Sequence, residues 1–365
     1  MTTGTLPESE LEAGPDRVKR TKRPASSGWN RLFRTSLVLI PLGILGNVVF
    51  TFLATDRAIL ASLGRYPVGY LLLALALGFV PWATVGLRLL LWTDFIGHRL
   101  SLRDAFAISL GDTLGAALTP TVVGGGAAKW GMMVHRGITA GAAASIATVA
   151  VVEDAVFFAL AVPLSIWLTR AWELPVFGLL GRELGDHLPV IVALLVGIAA
   201  AGWLGLRLFR TLRRQPPAEP EEEGFWHRSG RRLRAVWRDG VDVYDLIIRR
   251  GKTRFAAGVL LAGVQWSARY SVITALVYFL GIPVDPILFF LFQWVVFTLM
   301  IFIPTPGAVG GAEAAFYLVY SALLPGQVLG IATAGWRFFT FYCQLGAAAL
   351  LFSALHLKPG GAVKR

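Results

Sequence analysis

The sequence predicts an all-α polytopic membrane protein, with about six full spans plus two re-entrant helical hairpins arranged as an inverted repeat. Three observations predict it. The 365 residues are 55% hydrophobic and 15% charged, with a mean hydropathy of +0.63, whereas a soluble chain carries about a quarter charged residues. Apolar runs of the length a bilayer demands, roughly 20 residues, recur along the chain. Two similar Pro/Gly clusters interrupt two further apolar regions: Thr119-Pro120 through Gly124-Gly125-Gly126, and Thr305-Pro306-Gly307 through Gly310-Gly311.

In chain order, residues 1–34 read as a disordered basic cytoplasmic head. It lacks the early apolar core of a signal peptide, so the first span is expected to stay as an anchor. A single transmembrane domain follows over 35–356, with full spans at 35–54, 69–92, 138–168, 188–208, 255–280 and 328–356. The apolar regions 103–135 and 286–324 carry the Pro/Gly clusters at their centres and read as hairpins, because unwound backbone at membrane depth needs protein or water around it. The alternative is that one or both cross fully. The stretch 209–254 is a cytoplasmic loop, and 357–365 a cytoplasmic tail.

Lysine and arginine set the orientation. The head, the tail and the connections 93–136 and 207–254 hold 27 of them, against 4 in 55–68 and 169–187. Basic loops stay inside, which places both termini in the cytoplasm of a cell (inner) membrane. The first hairpin then enters from the cytoplasm and the second from outside. The units 69–168 and 255–356 oppose each other, the inverted repeat of many secondary transporters. Each Pro/Gly cluster is followed about 26 residues later by Ile-Ala-Thr (Ile146-Ala147-Thr148 and Ile331-Ala332-Thr333), which supports the repeat.

The net charge of +12 follows from those basic loops and does not call for nucleic acid. In the loop, Trp226, Leu233, Trp237, Val241, Tyr244 and Ile248 recur at helical spacing with Arg228, Arg231, Arg232 and Arg238 between them. That pattern suits a helix over about 225–250 lying on anionic inner-leaflet lipids; an ordinary basic loop is the other reading. The lone Cys343 excludes an intramolecular disulfide and a cysteine metal site. The five scattered histidines argue against a histidine metal cluster. No Walker-type phosphate loop occurs, and no cofactor is expected.

Ionisable groups inside a span cost roughly 2.5–3.5 kcal/mol each, so they are candidates for function. Glu153-Asp154 lie near the middle of 138–168. Arg269 lies in the middle of 255–280, one turn after Gln265, and Arg337 in the first half of 328–356. The acidic pair and Arg337 occupy matching places and invite an ion pair across the repeat axis, which would either line a lipid-headgroup cavity or merely lock the bundle. Arg88 stands near a span end and can snorkel. Glu313 falls in the first turn of a helix that starts after Gly310-Gly311, as a cap favoured by the dipole or as a site residue; Lys129 stands in the matching neighbourhood of the first cluster. Pro120, Gly124, Gly125, Gly126, Pro304, Pro306, Gly307, Gly310 and Gly311 are hinge or gate candidates. Their glycines either let a ligand approach the backbone or serve tight helix packing.

These residues resemble the flippase-like transmembrane family: the membrane domain of lysylphosphatidylglycerol synthases (multiple peptide resistance factors) and its stand-alone relatives. The resemblance covers about 30–355. It rests on Arg88-Leu-Leu-Leu-Trp92, on Thr119-Pro120 through Gly126 to His135-Arg136-Gly137, on Glu153-Asp154, and on Pro304-Thr-Pro306-Gly-Ala-Val-Gly310-Gly311-Ala-Glu313, the most specific block. It implies movement of a polar or charged lipid from the inner to the outer leaflet; relatives are associated with aminoacylated phospholipids, glycolipids and hopanoids. Ala312 stands where the family commonly has arginine, and Ala127-Ala128-Lys129 where it has an acidic residue. The synthases' cytosolic transferase domain is absent, which implies a stand-alone member and no enzyme. The expected function is a lipid flippase acting on a phospholipid, glycolipid or other polar lipid. Alternatives are a lipid-modifying transferase using Glu153 or Asp154 as base, or a non-transporting partner of a lipid-synthesis enzyme.

Overall fold

The computed structural model describes residues 67–119, 123–174, 225–303 and 305–357. The expected spans 35–54 and 188–208, the head, nearly all of the tail, Pro120 and Pro304 lie outside the described residues. Among the described residues every regular element is helical.

Four long helices form the frame. They are α1 (Gly69–Phe95), α4 (Ala140–Thr169), α6 (Lys252–Phe279) and a composite of α9 (Gly326–Arg337) with α10 (Cys343–Leu357). α1, α4 and the composite are long and apolar enough to cross a membrane. α6 matches them with 28 residues but carries the polar side chains that define the site below. Pro81 and Pro163 sit inside α1 and α4, where each removes one backbone donor. Membrane helices tolerate that when neighbours reclaim the freed groups.

Two pairs of short helices fill the frame. α2 (Leu102–Leu118) and α3 (Val123–His135) have 17 and 13 residues, and α7 (Pro286–Met300) and α8 (Gly311–Tyr320) have 15 and 10. At 1.5 Å per residue each falls short of the ~30 Å hydrocarbon core. Their starts follow from local sequence. Ser101 caps α2 by accepting from the Asp104 N–H at 3.1 Å. Asp285 caps α7 by accepting from the N–H groups of Ile287 and Leu288 at 2.8 and 3.2 Å, with Pro286 in the first turn.

The limbs of each pair run antiparallel. Asp104, at the start of α2, pairs with Arg136 just past the end of α3, so both limbs of the first pair meet one end of the bundle. The same end holds the close of α1 and the start of α6, through Asp94–Arg254 at 3.0 Å, and the close of α10, where Arg103 donates to the Leu355 carbonyl. The second pair follows the far end of α6, where Tyr278 donates to the Val284 carbonyl at 2.9 Å. The two pairs of short helices therefore begin at opposite ends of the bundle.

α5 (Phe225–Arg250) is the helix expected over 225–250. It docks across the start of α4, where Thr139 donates to Asp239, which also accepts from the Ala142 N–H at 3.2 Å. Gly141 and Gly240 meet there backbone to backbone; a Cβ on Gly141 would stand 2.3 Å from the Val236 carbonyl oxygen. Ile247 joins a core with Trp92, Ile108, Met133 and Ile146. A larger core surrounds Ile273, Phe292, Phe316, Tyr320 and Trp336 at the other half of the bundle.

Between α9 and α10 the helix widens to a π turn over Phe338–Tyr342. The Cys343 N–H donates to the Phe338 carbonyl. The Gln344 amide donates to the carbonyls of Phe339 and Gly78, at 3.3 and 2.8 Å.

Candidate functional site

Arg88 and Trp92 are one turn apart on α1 and face the same way. The Arg88 Nε donates to Glu153 Oε2 and its Nη1 to Asp154 Oδ1, each at 2.8 Å. Nη1 also reaches the Gln265 side-chain oxygen at 3.3 Å, and Nη2 the Ala150 carbonyl. Trp92 Nε1 donates to the other Glu153 oxygen at 2.8 Å. Glu153 is fully enclosed and Arg88 is 5% exposed, so this is a buried pair in which each Glu153 oxygen holds a donor, as burial of charge requires. Asp154 differs: its side chain is 25% exposed and only Oδ1 is bound to Arg88. Lys129 on α3 shares a cavity of about 20 Å³ with Arg88, Trp92 and Ala150, about the room for one water. It lies 3.9 Å from Asp112 on α2.

α6 makes room for this network. A Cβ on Gly258 would lie 1.8 Å from Glu153 Oε1. Two turns on, Gln265 also accepts from Thr84 Oγ1 at 3.4 Å.

The second charged pair is Arg337 with Glu313. Arg337 Nε donates to Glu313 Oε1 at 2.9 Å, and its Nη2 donates to the Gly307 carbonyl. Glu313 Oε2 accepts from the Gly310 N–H at 2.8 Å. The carboxylate thus caps α8 and holds Arg337 at once. The guanidinium lies 4.1 Å from the Phe341 ring centroid, a cation–π distance. Arg337 is 2% exposed.

Arg269 stands between the two networks. No carboxylate lies within ion-pair distance of it among the described residues, and its Nε is enclosed without a hydrogen-bond partner. Its guanidinium rests 5.3 Å from the Phe297 ring centroid. A buried donor left open is costly, and of the four arginines in the frame helices, Arg88, Arg254, Arg269 and Arg337, Arg269 is the one that lacks a carboxylate among the described residues.

The expected residues therefore fall into three groups. Glu153, Asp154 and Gln265 come together, with Lys129 beside them; Glu313 and Arg337 come together; Arg269 is alone. The expected ion pair between Glu153-Asp154 and Arg337 is not formed, because Arg88 already occupies both carboxylates and Glu313 occupies Arg337. Arg88 does not snorkel. Its place near a span end set it apart from the site candidates, although its spacing from Trp92 puts two donors on one face.

The glycines divide by their surroundings. Cβ atoms on Gly124 and Gly125 would meet α2 and its end, 2.2 Å from Thr119 Oγ1 and 2.7 Å from Asp112 Oδ1. Those on Gly307 and Gly311 would meet Phe341 at 2.3 Å and Ile303 at 2.6 Å. Packing occupies the space at these four. Gly126 and Gly310 face open space, and Gly310 has φ +83°. Thr119 clips the first turn by accepting from the Gly124 N–H at 2.8 Å and donating to the Gly115 carbonyl at 2.9 Å. Pro306 lies in the second turn, where its carbonyl accepts from the Val309 N–H at 3.4 Å.

Comparison with known proteins agrees with the membrane architecture. A UPF0104 membrane protein of Archaeoglobus fulgidus is 22% identical over 294 residues, 76% of this chain and 84% of that protein. The family model of the lysylphosphatidylglycerol synthase TM region matches residues 36–348. With its helical bundle and a match over most of its length, the chain belongs to the family of the lysylphosphatidylglycerol synthase transmembrane region.

Proposed function

We propose that this protein is a lipid flippase, moving a polar or charged lipid between leaflets past the charged residues that stand between the two hairpins. The observation that carries the reading is Arg269. It is a guanidinium at membrane depth with an unfilled donor, set between two closed ion-pair networks. A lipid phosphate is an acceptor that suits it, since guanidinium binds phosphate through paired charged hydrogen bonds. Asp154, a quarter exposed, and Lys129 offer complementary contacts to a zwitterionic headgroup near the first hairpin.

Opposed hairpins give such a route two gates. The units 69–168 and 255–356 act as an inverted repeat, with both termini on the cytoplasmic side of a cell membrane, and their hairpins open in turn. On this reading the protein performs no covalent chemistry. Glu153 serves the bundle as the fixed counter-charge of Arg88, and the glycines that pack helices act as hinges rather than as headgroup ligands.

A transbilayer assay in proteoliposomes tests this. With phosphatidylglycerol, lysyl-phosphatidylglycerol and a glycolipid as reporters, the protein should accelerate the movement of at least one, and Arg269→Gln should remove the acceleration. Equal movement with and without protein for every lipid would sink the reading.

A further inference from the structure

A second cleft lies away from those charged residues, where α5 meets α4 and α6. It encloses about 270 Å³ and is lined by Val149, Val152, Tyr244, Ile247, Lys252 and Phe255. That is just below the ~300–1,000 Å³ of small-molecule sites. The walls are aliphatic and aromatic, and the cation stands at the helix start: Lys252 is the first residue of α6 and is exposed. No carboxylate pairs with Lys252 among the described residues, whereas its neighbour Arg249 is engaged by Asp245 at 2.9 Å. Arg250 beside it is also exposed.

We propose that this cleft holds one acyl chain of an anionic phospholipid, with the phosphate at Lys252. The apolar walls supply affinity for any chain, but a zwitterionic or neutral lipid leaves the unpaired ammonium only partly compensated. An anionic headgroup completes it, with Arg250 nearby and the Tyr244 hydroxyl as a further donor. The lipid bridges three helices and fastens α5 to the bundle. It acts as a structural lipid and not as cargo, so the proposal stands whether or not the protein transports lipid.

Native mass spectrometry of the full-length, delipidated protein tests it, with palmitoyl-oleoyl phosphatidylglycerol and the matching phosphatidylcholine as competing probes. Wild type should retain phosphatidylglycerol in preference. Lys252→Gln, an exposed substitution that leaves the fold intact, should cut that preference about fivefold, the worth of one lysine at an anionic surface. Lys252→Arg should keep it. Val152→Trp, which fills the cleft, should lower retention of both lipids. Equal retention of the two lipids by wild type, or a preference unchanged in Lys252→Gln, would overturn the proposal.

Discussion

Arg88 and Arg269 are both arginines in long helices, yet their substitution should have opposite signatures. Arg88→Met leaves Glu153 fully enclosed without its cation, and an orphaned buried charge costs about 3–5 kcal/mol. Thermal unfolding in detergent should show a large loss. Arg269→Met removes an unfilled buried donor, so stability should hold or rise while lipid movement is lost. The same unfolding scan, paired with the transbilayer assay, separates the two. Glycine gives a second contrast. Gly258→Ala drives a methyl into the Glu153 carboxylate and should cost about 1–3 kcal/mol by overpacking. Gly126→Ala meets open space and should stay within about 0.5 kcal/mol. The acidic pair, Arg269 and Arg337 were legible because charge inside an apolar run stands out. Their partners were not, since Arg88 and Glu153 are 65 residues apart in sequence, and only the antiparallel approach of α1 and α6 beside α4 brings the network together.

At the scale of elements, helix limits were readable from apolar runs and Pro/Gly signals. The apolar regions read from 103 and 286 start within a residue of α2 and α7, and in the structure Ser101 and Asp285 cap those helices. Less readable was the second turn. Gly310 has φ +83° with nothing near its missing Cβ, so Gly310→Ala isolates backbone strain from packing and should cost about 1–3 kcal/mol. Glu313→Ala should do more. It uncaps α8 and strips the carboxylate from Arg337 in one step, and hydrogen exchange should rise across α8 together with the turn before it. If exchange rose in α8 alone, Glu313 would be only a cap.

For the whole molecule, loop charge gave an orientation that the helix directions can be made to report. In a Cys343→Ser background, Leu102→Cys and Gly326→Cys lie exposed at opposite ends of the bundle. A membrane-impermeant maleimide should label the first from the cytoplasmic side only and the second from outside only. Labelling of both from one side would reject the opposed hairpins. The tight join of α5 to α4 was beyond sequence reading, because an amphipathic pattern says that one face is apolar and not what covers it. The π turn at Phe338–Tyr342 carries one last consequence. A π turn is a surplus residue absorbed within an α-helix, so the residues on either side keep the register of an unbroken rod. Deleting Phe338 or Phe339 should let that turn relax to α geometry, leaving Arg337 on Glu313 and Gln344 on Gly78. The same deletion within α1 would swing every later side chain by about 100°. This helix therefore holds a slack link, a place where chain length can change while the faces on both sides stay in phase.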